Sequence, residues 1–251
     1  MINSKSMVGK ICSDIINFKR LKIVLPRLLD YFKDKKNYLR MDGVEPIALR
    51  NYIPLLYDKN QVTPFDAHYF FQDIWASKKI FESKCSHHVD VGSHIKFIGF
   101  LTTFTKVTFI DIRPLPLKFE NFQSKKGNIL SLDYEDNSVK SLSCLHVAEH
   151  IGLGRYGDNL DPLGTKKAIK ELSRILAPNG NLYFSIPIGK PKLYFNSHRI
   201  HSTDQIMDYF SDLEMVELSG IDDKANYHKD INKKALNSCK YGCGLFYFTK
   251  K

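Results

Sequence analysis

The chain has 251 residues, 43% of them apolar and 25% charged, enough to bury the core of one large α/β domain or two small ones, which excludes a disordered polar chain as the default. Its formal charge of +10 comes from lysines scattered along the sequence, denser before Asn60 in "NFKRLK" and "FKDKKNYLR". That balance suits an anionic partner, but no basic stripe interleaves with aromatics and no nucleic-acid motif is present, so nucleic acid is not an expected partner.

From Ser13 to Lys84 the apolar residues recur at helical spacing, with breaks expected at Pro26, at "MDGVEP" and near Pro64. Residues 1–84 therefore read as a helical N-terminal cap packed on a main domain of residues 85–251. From His87 the rhythm changes to short β-rich runs alternating with helical ones: "HHVDVGS", "KVTFIDI", "GNILSL" and "VKSLSCLH", then the helix "GTKKAIKELSRIL" and the buried strand "NLYFSIPIG". A helix "STDQIMDYFSD" and two further strands, "LEMVELSG" and "CGLFYFTK", complete a count of seven. Strands alternating with crossover helices imply a Rossmann-like, mostly parallel sheet with flanking helices.

The five cysteines, Cys12, Cys85, Cys144, Cys239 and Cys243, are odd in number and lie mostly in apolar surroundings. This fits a reducing compartment, and the chain reads as cytoplasmic. The stretch "ICSDIINFKRLKIVLPRLL" carries basic residues every few positions and has no uncharged leader-like core. No run is long enough to span a bilayer, although the amphipathic N-terminal region leaves peripheral membrane contact open. Oligomeric state is not legible.

In an open parallel sheet, ligands bind at the carboxyl ends of the strands near the point where strand order reverses. After the first strand come Asp90, Val91, Gly92, Ser93 and His94, where Gly92 permits close backbone approach. After the second comes Asp111, with Ile112 beside it, about 20 residues further on, where an acid can accept two ribose hydroxyls. The first turn has a single glycine, which argues against a dinucleotide pyrophosphate and accommodates S-adenosylmethionine more readily. Downstream lie Asp136-Asn137-Ser138, then Glu149-His150 after the fourth strand, and the turn Arg174-Ile175-Leu176-Ala177-Pro178-Asn179-Gly180.

On these motifs the segment from about Cys85 onward resembles class I S-adenosylmethionine-dependent methyltransferases. The strings "HVDVGSH", "IDIRPL", "SLSCLHVAEHIGLGRYGD", "LDP" and "FNSHRIHS" are similar to a narrower domain-of-unknown-function family of small methyltransferase-like proteins, some linked to surface-glycan biosynthesis. The resemblance implies S-adenosyl-L-methionine as cofactor, with Asp90, Gly92, Ser93 and His94 at the first turn and Asp111 and Ile112 at the ribose. It further implies Asn128 and Ile129 at the adenine, and Leu145 and His146 at the methionine moiety. Asn128 stands where an acid is frequent, and its amide oxygen can still accept.

A hydroxyl acceptor needs a base, for which His150 and His198 are candidates, with Glu149 able to orient an imidazole. "GLGRYGDNLDP" and "YFNSHRIHS" add Arg155, Tyr156, Asp158, Asn196 and Arg199 as candidate contacts for sugar hydroxyls or an anionic group. Two alternatives stay open. A non-catalytic relative could bind a ligand through the same cleft. His146, Glu149 and His150 also spell H-x-x-E-H, an inverted zinc-hydrolase motif, but it follows a buried strand and lacks a third ligand on a distant helix, so no metal is expected. Cys239 and Cys243, near His228, read as structural.

Overall fold

The computed structural model describes residues 18–251, so the predicted helix start at Ser13 and Cys12 lie outside the described residues. The chain divides into two compact units, with the boundary between Pro64 and Phe65. In the first, helix α1 runs Phe18–Tyr38 straight through Pro26, where the sequence predicts a break. A proline deletes one backbone donor and crowds the preceding turn, yet here the helix continues past it. Arg27 Nη1 then donates to the Leu56 carbonyl at 2.8 Å, tying the following segment back to α1.

The second unit begins with helix α2, Ala67–Glu82, so this helix falls within residues 65–251 although the sequence assigns it to the cap. Asp66 caps it, its carboxylate accepting from the backbone amides of His68 at 3.0 Å and Tyr69 at 3.3 Å. There follow β1 His87–Val91, α3 Ile95–Leu101, β2 Lys106–Asp111, β3 Phe122–Lys126 and β4 Val139–Leu145. Next come α4 Gly164–Ile175, β5 Leu176–Ile188, β6 Lys192–Tyr194, β7 His198–Ile200 and α5 Thr203–Tyr209. The unit closes with β8 Glu214–Ile221, β9 Tyr227–His228, α6 Lys233–Asn237 and β10 Gly242–Thr249.

The main sheet has eight strands in the order β3-β2-β1-β4-β5-β10-β8-β9, one more than the sequence count because the two-residue β9 adds an edge. Strands β3 to β5 pair parallel, and β10 inserts antiparallel between β5 and β8. Strand order reverses between β1 and β4, which opens a crevice at the strand ends beside Gly92 and His146. On one face α4 buries Ala168, Ile169, Leu172 and Ile175 against Leu142, Leu182 and Phe184. That i, i+1, i+4, i+7 spacing is a helical stripe. On the other, α2 and α3 bury Trp75, Ile80, Phe97 and Leu101 against Val107, Phe109, Tyr183 and Leu245.

The third strand corrects the sequence reading. "GNILSL" is not a strand but a turn, with Ser131 N donating to Asn128 O at 2.9 Å, and β3 runs instead through the polar "FQSKK". An edge strand needs only backbone partners from β2, whereas Ile129 and Leu132 are buried from a loop.

Candidate active site

Beneath the first turn lies a chain of buried polar groups. Asp90 pairs in register with Ser143 and accepts from Ser93 N at 3.0 Å, from Ser93 Oγ at 2.6 Å and from Ser143 Oγ. Ser93 Oγ in turn accepts from Leu145 N at 3.0 Å, so the β1 turn is fastened to the end of β4. His88, fully buried, lies 2.8 Å from both Ser141 Oγ and Ser143 Oγ. With Asp90 ionised, Ser143 donates to it, so the Ser143 oxygen accepts from His88 Nε2 and His88 Nδ1 accepts from Ser141. Burial pushes His88 down to about 3 and Asp90 up to about 7. Asp90 and Ser93 line neither cavity described next; they position the turn rather than contact a ligand there.

Two cavities adjoin at the strand ends. The smaller, about 340 Å³, is lined by Gly92, Asp111, Ile112, Asn128, Ile129, His146 and Asp158 among others. The larger, about 740 Å³, takes in Gly92, His94, Leu145, His146, Glu149, His150, Arg155, Tyr156 and His198. Gly92, His146, His150 and Tyr156 belong to both. Gly92 has φ +73°, and a Cβ there would lie 3.0 Å from Val147 Cγ1, so the turn requires glycine. Asp111 Oδ1 accepts from Arg113 N at 2.7 Å, and its Oδ2 lies on the Gly92 side. Asn128 Oδ1 caps Leu130 N at 3.0 Å, using one of its two lone pairs.

Glu149-His150 sits on a single 3-10 turn, Ala148–His150, just past the end of β4. His146 lies between β4 and this turn with φ 54°, in the left-handed region that few non-glycine residues adopt. His146 Nδ1 lies 2.7 Å from Glu149 Oε1, both side chains buried. Burial opposes charge on His146, but Cys243 and Glu149 outweigh it and hold its pKa well above the ordinary value. Burial likewise opposes ionised Glu149, and His146 reverses that to lower its pKa. The helical zinc-hydrolase arrangement of His146 and His150 is therefore absent.

His150 Nδ1 donates to Ser197 O at 2.5 Å, leaving Nε2, which is 3.7 Å from Glu149 Oε1. His198 also lines the larger cavity, with its Nε2 buried. Its Nδ1 is 2.8 Å from Ser197 Oγ, its Nε2 has no partner, and burial holds its pKa below the ordinary imidazole range.

The loop after the 3-10 turn is held by its own bonds. Asp158 accepts from Gly152 N at 2.6 Å, Tyr156 N at 3.2 Å and Gly154 N at 3.4 Å. Arg199, expected to meet an anion, instead donates to Ile151 O at 2.6 Å and Asp161 O at 3.1 Å and lines neither cavity. Asn196 also lines neither; its Nδ2 reaches Leu153 O at 3.4 Å. Arg155, its guanidinium 5.1 Å from the Tyr156 ring centroid, remains on the larger cavity.

Sequence reasoning missed His68, Tyr69 and Tyr241, which line the larger cavity. His68 stacks on His146 with centroids 5.4 Å apart and on Tyr241 at 5.1 Å. Burial, with His146 nearby, lowers His68 to about 4, and burial raises Tyr69 to about 12. The capping pattern Asp66-x-His68-Tyr69 could have put these rings on a helix's first turn, but not at this strand end.

The family described as "Caenorhabditis protein of unknown function, DUF268" matches residues 105–242, more than half of the chain. The chain belongs to this family. Within the family match lie Asp111, His146, Glu149, His150 and His198; His68 and Gly92 precede it. An uncharacterized protein, MJ0638, of Methanocaldococcus jannaschii is 29% identical over 176 residues, covering 67% of this chain and 70% of that one. Among solved structures, the N-methyltransferase NodS of Bradyrhizobium japonicum, in complex with S-adenosyl-L-homocysteine, is 15% identical with TM-score 0.50, over 88% of this chain and 98% of that one. The Burkholderia thailandensis 1,6-didemethyltoxoflavin-N1-methyltransferase, also with S-adenosylhomocysteine, is 13% identical with TM-score 0.50, over 74% and 84%. At these identities the likeness establishes the Rossmann-like methyltransferase fold. No helix among the described residues is long and apolar enough to cross a membrane.

Proposed function

We propose that this DUF268-family protein is an S-adenosylmethionine-dependent methyltransferase acting on an oxygen of a sugar or phosphate-containing intermediate of a surface glycan. The observation that carries the reading is the meeting of two cavities of different character at Gly92, His146, His150 and Tyr156. The smaller one fits an adenosine moiety. Asp111 stands between two bare-backbone positions, Gly92 and Gly127, and a Cβ at Gly127 would fall 2.4 Å from Ile110 Cγ2. Ile110, Ile129 and Ile151 supply apolar walls.

Bound cofactor would supply a methyl group made electrophilic by its sulfonium. Asp111 would accept the ribose hydroxyls, and Ile129 would present its backbone amide to the adenine. Methyl transfer is an in-line displacement, so the chain's main work is alignment and exclusion of water. His198 Nε2, unpartnered and neutral near pH 7, would take the acceptor hydroxyl's proton. Tyr69 and Tyr241 offer ring faces to a sugar, and Arg155 a guanidinium to a phosphate.

The test is calorimetric titration of the full chain with S-adenosylmethionine and S-adenosylhomocysteine. Asp111→Ala should weaken both about tenfold to hundredfold, the loss of charge-assisted hydrogen bonds to a diol, with the far-UV spectrum unchanged. Equal affinity in wild type and variant would remove Asp111 from the site. Radiolabelled cofactor offered with nucleotide sugars and glycan intermediates then reads the acceptor class, and absence of label on every hydroxyl acceptor would overturn the O-methylation reading.

A further inference from the structure

At the inner end of the larger cavity three potential ligands converge from distant parts of the chain. His68 stands in the first turn of α2, His146 just past β4, and Cys243 near the start of β10. One nitrogen of each imidazole and Cys243 Sγ all lie within 4.8 Å of one another. His146 is 7% exposed, and its Nε2 is buried without a hydrogen-bond partner. A buried ring nitrogen left unpaired is costly unless something binds it. Its other nitrogen is held 2.7 Å from Glu149 Oε1, the carboxylate-to-imidazole arrangement that fixes ring orientation behind a metal ligand.

We propose that His68, His146 and Cys243 bind a zinc-class divalent metal ion, with Glu149 orienting His146 and the remaining coordination position facing the cavity. Two imidazoles and a thiolate form a borderline-to-soft donor set that favours zinc over magnesium or calcium, which prefer oxygen. Three protein ligands with an open position is the pattern of zinc sites that also accept a water or substrate atom. Binding removes the Cys243 thiol proton, and any proton on the liganding imidazole nitrogens, to solvent. A role for Cys243 as an attacking nucleophile fits less well: it has no exposed surface and does not line the cavity, whereas His68 and His146 do. The site uses His146 from the H-x-x-E-H string but not His150, whose Nδ1 is engaged by Ser197 O. The inference is independent of methyl transfer, because metal binding is read without S-adenosylmethionine present.

The experiment uses the full chain, stripped with a chelator and dialysed. Zinc is titrated against a chromophoric competitor, and cobalt(II) is used as an optical stand-in. Wild type should bind one zinc per chain at submicromolar or better affinity, and cobalt should give a thiolate-to-metal charge-transfer band. Cys243→Ser should lose that band, and Cys243→Ser and His68→Ala should each weaken zinc at least tenfold. Glu149→Gln should weaken it about tenfold, and Cys239→Ser, outside the cluster, should bind as wild type. Because Cys243 is fully buried, His68→Ala at the half-buried helix start serves as the second variant, with far-UV spectra confirming the fold. Wild type without stoichiometric zinc binding, or folded Cys243→Ser and His68→Ala with wild-type affinity, would overturn the proposal. Neither result bears on cofactor titration at Asp111, so the two readings fail separately.

Discussion

Asp90 contacts neither cavity and is fully buried, so it acts by holding Ser93 and, through it, the end of β4. Burial outweighs the donors around it and lifts its pKa to about 7. A carboxyl whose folded pKa lies above its unfolded one, about 3.9, binds its proton more tightly in the native state. Its stabilising contribution is then complete below about pH 3.9 and is lost as pH rises through about 7. Asp90→Asn keeps the shape but cannot titrate. The unfolding free energy of wild type relative to this variant should therefore fall by on the order of 2–4 kcal/mol between about pH 4 and pH 8. Asp73, raised by burial to about 6, titrates in both proteins and largely cancels. Urea unfolding at a series of pH values measures the difference, and a pH-independent gap would mean that Asp90 is not the buried acid described. The sequence marks Asp90 as part of a first-turn motif; whether it touches a ligand or holds the turn depends on Ser143, a residue 53 positions away.

The segment from Ile151 to Asp161 borders the larger cavity through Arg155 and Tyr156 and is the element on which the proposed acceptor site depends. Asp158 gathers three of its amides, and Arg199 clamps its two ends through Ile151 O and Asp161 O. Gly152 makes that closure possible: at φ +81°, a Cβ there would lie 2.1 Å from Asp161 O. Arg199→Met keeps the aliphatic stem and deletes the clamp. Amide hydrogen exchange over residues 152–161 should speed up at least about tenfold, the loss of one to two hydrogen bonds, while exchange in β4 and β5 stays as in wild type. Unaltered loop protection would make Arg199 free for a substrate anion after all. At this scale the sequence is legible where periodicity decides, as in α4, and illegible where a neighbour decides. Polar "FQSKK" becomes a strand because β2 offers a free edge, and apolar "GNILSL" becomes a loop because Ile129 and Leu132 bury without strand pairing. The same holds for His68 and Tyr69: the Asp66 cap is visible in the sequence, their meeting with His146 is not.

For the whole molecule, the alternation of strands and helices sufficed to place Gly92, Asp111 and His146 at one crevice, since parallel topology forces ligands to the carboxyl ends at the switch between β1 and β4. Charge works at a longer range and with less sequence detail. A formal +10 attracts an anionic acceptor and weakly repels S-adenosylmethionine, whose net charge is about +1 near pH 7. The linings themselves are mixed, with Arg113 beside Asp111 and Asp158 in the smaller cavity and Arg155 beside Asp66, Glu149, Asp222 and Asp223 in the larger, so long-range attraction of an anion comes from the net charge of the chain and its local capture falls to Arg155. Raising salt from about 0.05 M to about 0.5 M shortens the screening length from roughly 14 Å to roughly 4 Å. The KM of a phosphate-bearing acceptor should therefore rise at least about threefold, while cofactor affinity stays within about twofold or improves slightly. The two responses differ in size, so general weakening of the protein by salt, which would impair both alike, cannot produce them. Steady-state assays across the salt series, with calorimetry on the cofactor alone, measure them. An acceptor KM that stays flat with salt would point to a neutral sugar hydroxyl held by Tyr69, Tyr241 and His198, with Arg155 left as a solvent-facing lip of the cavity.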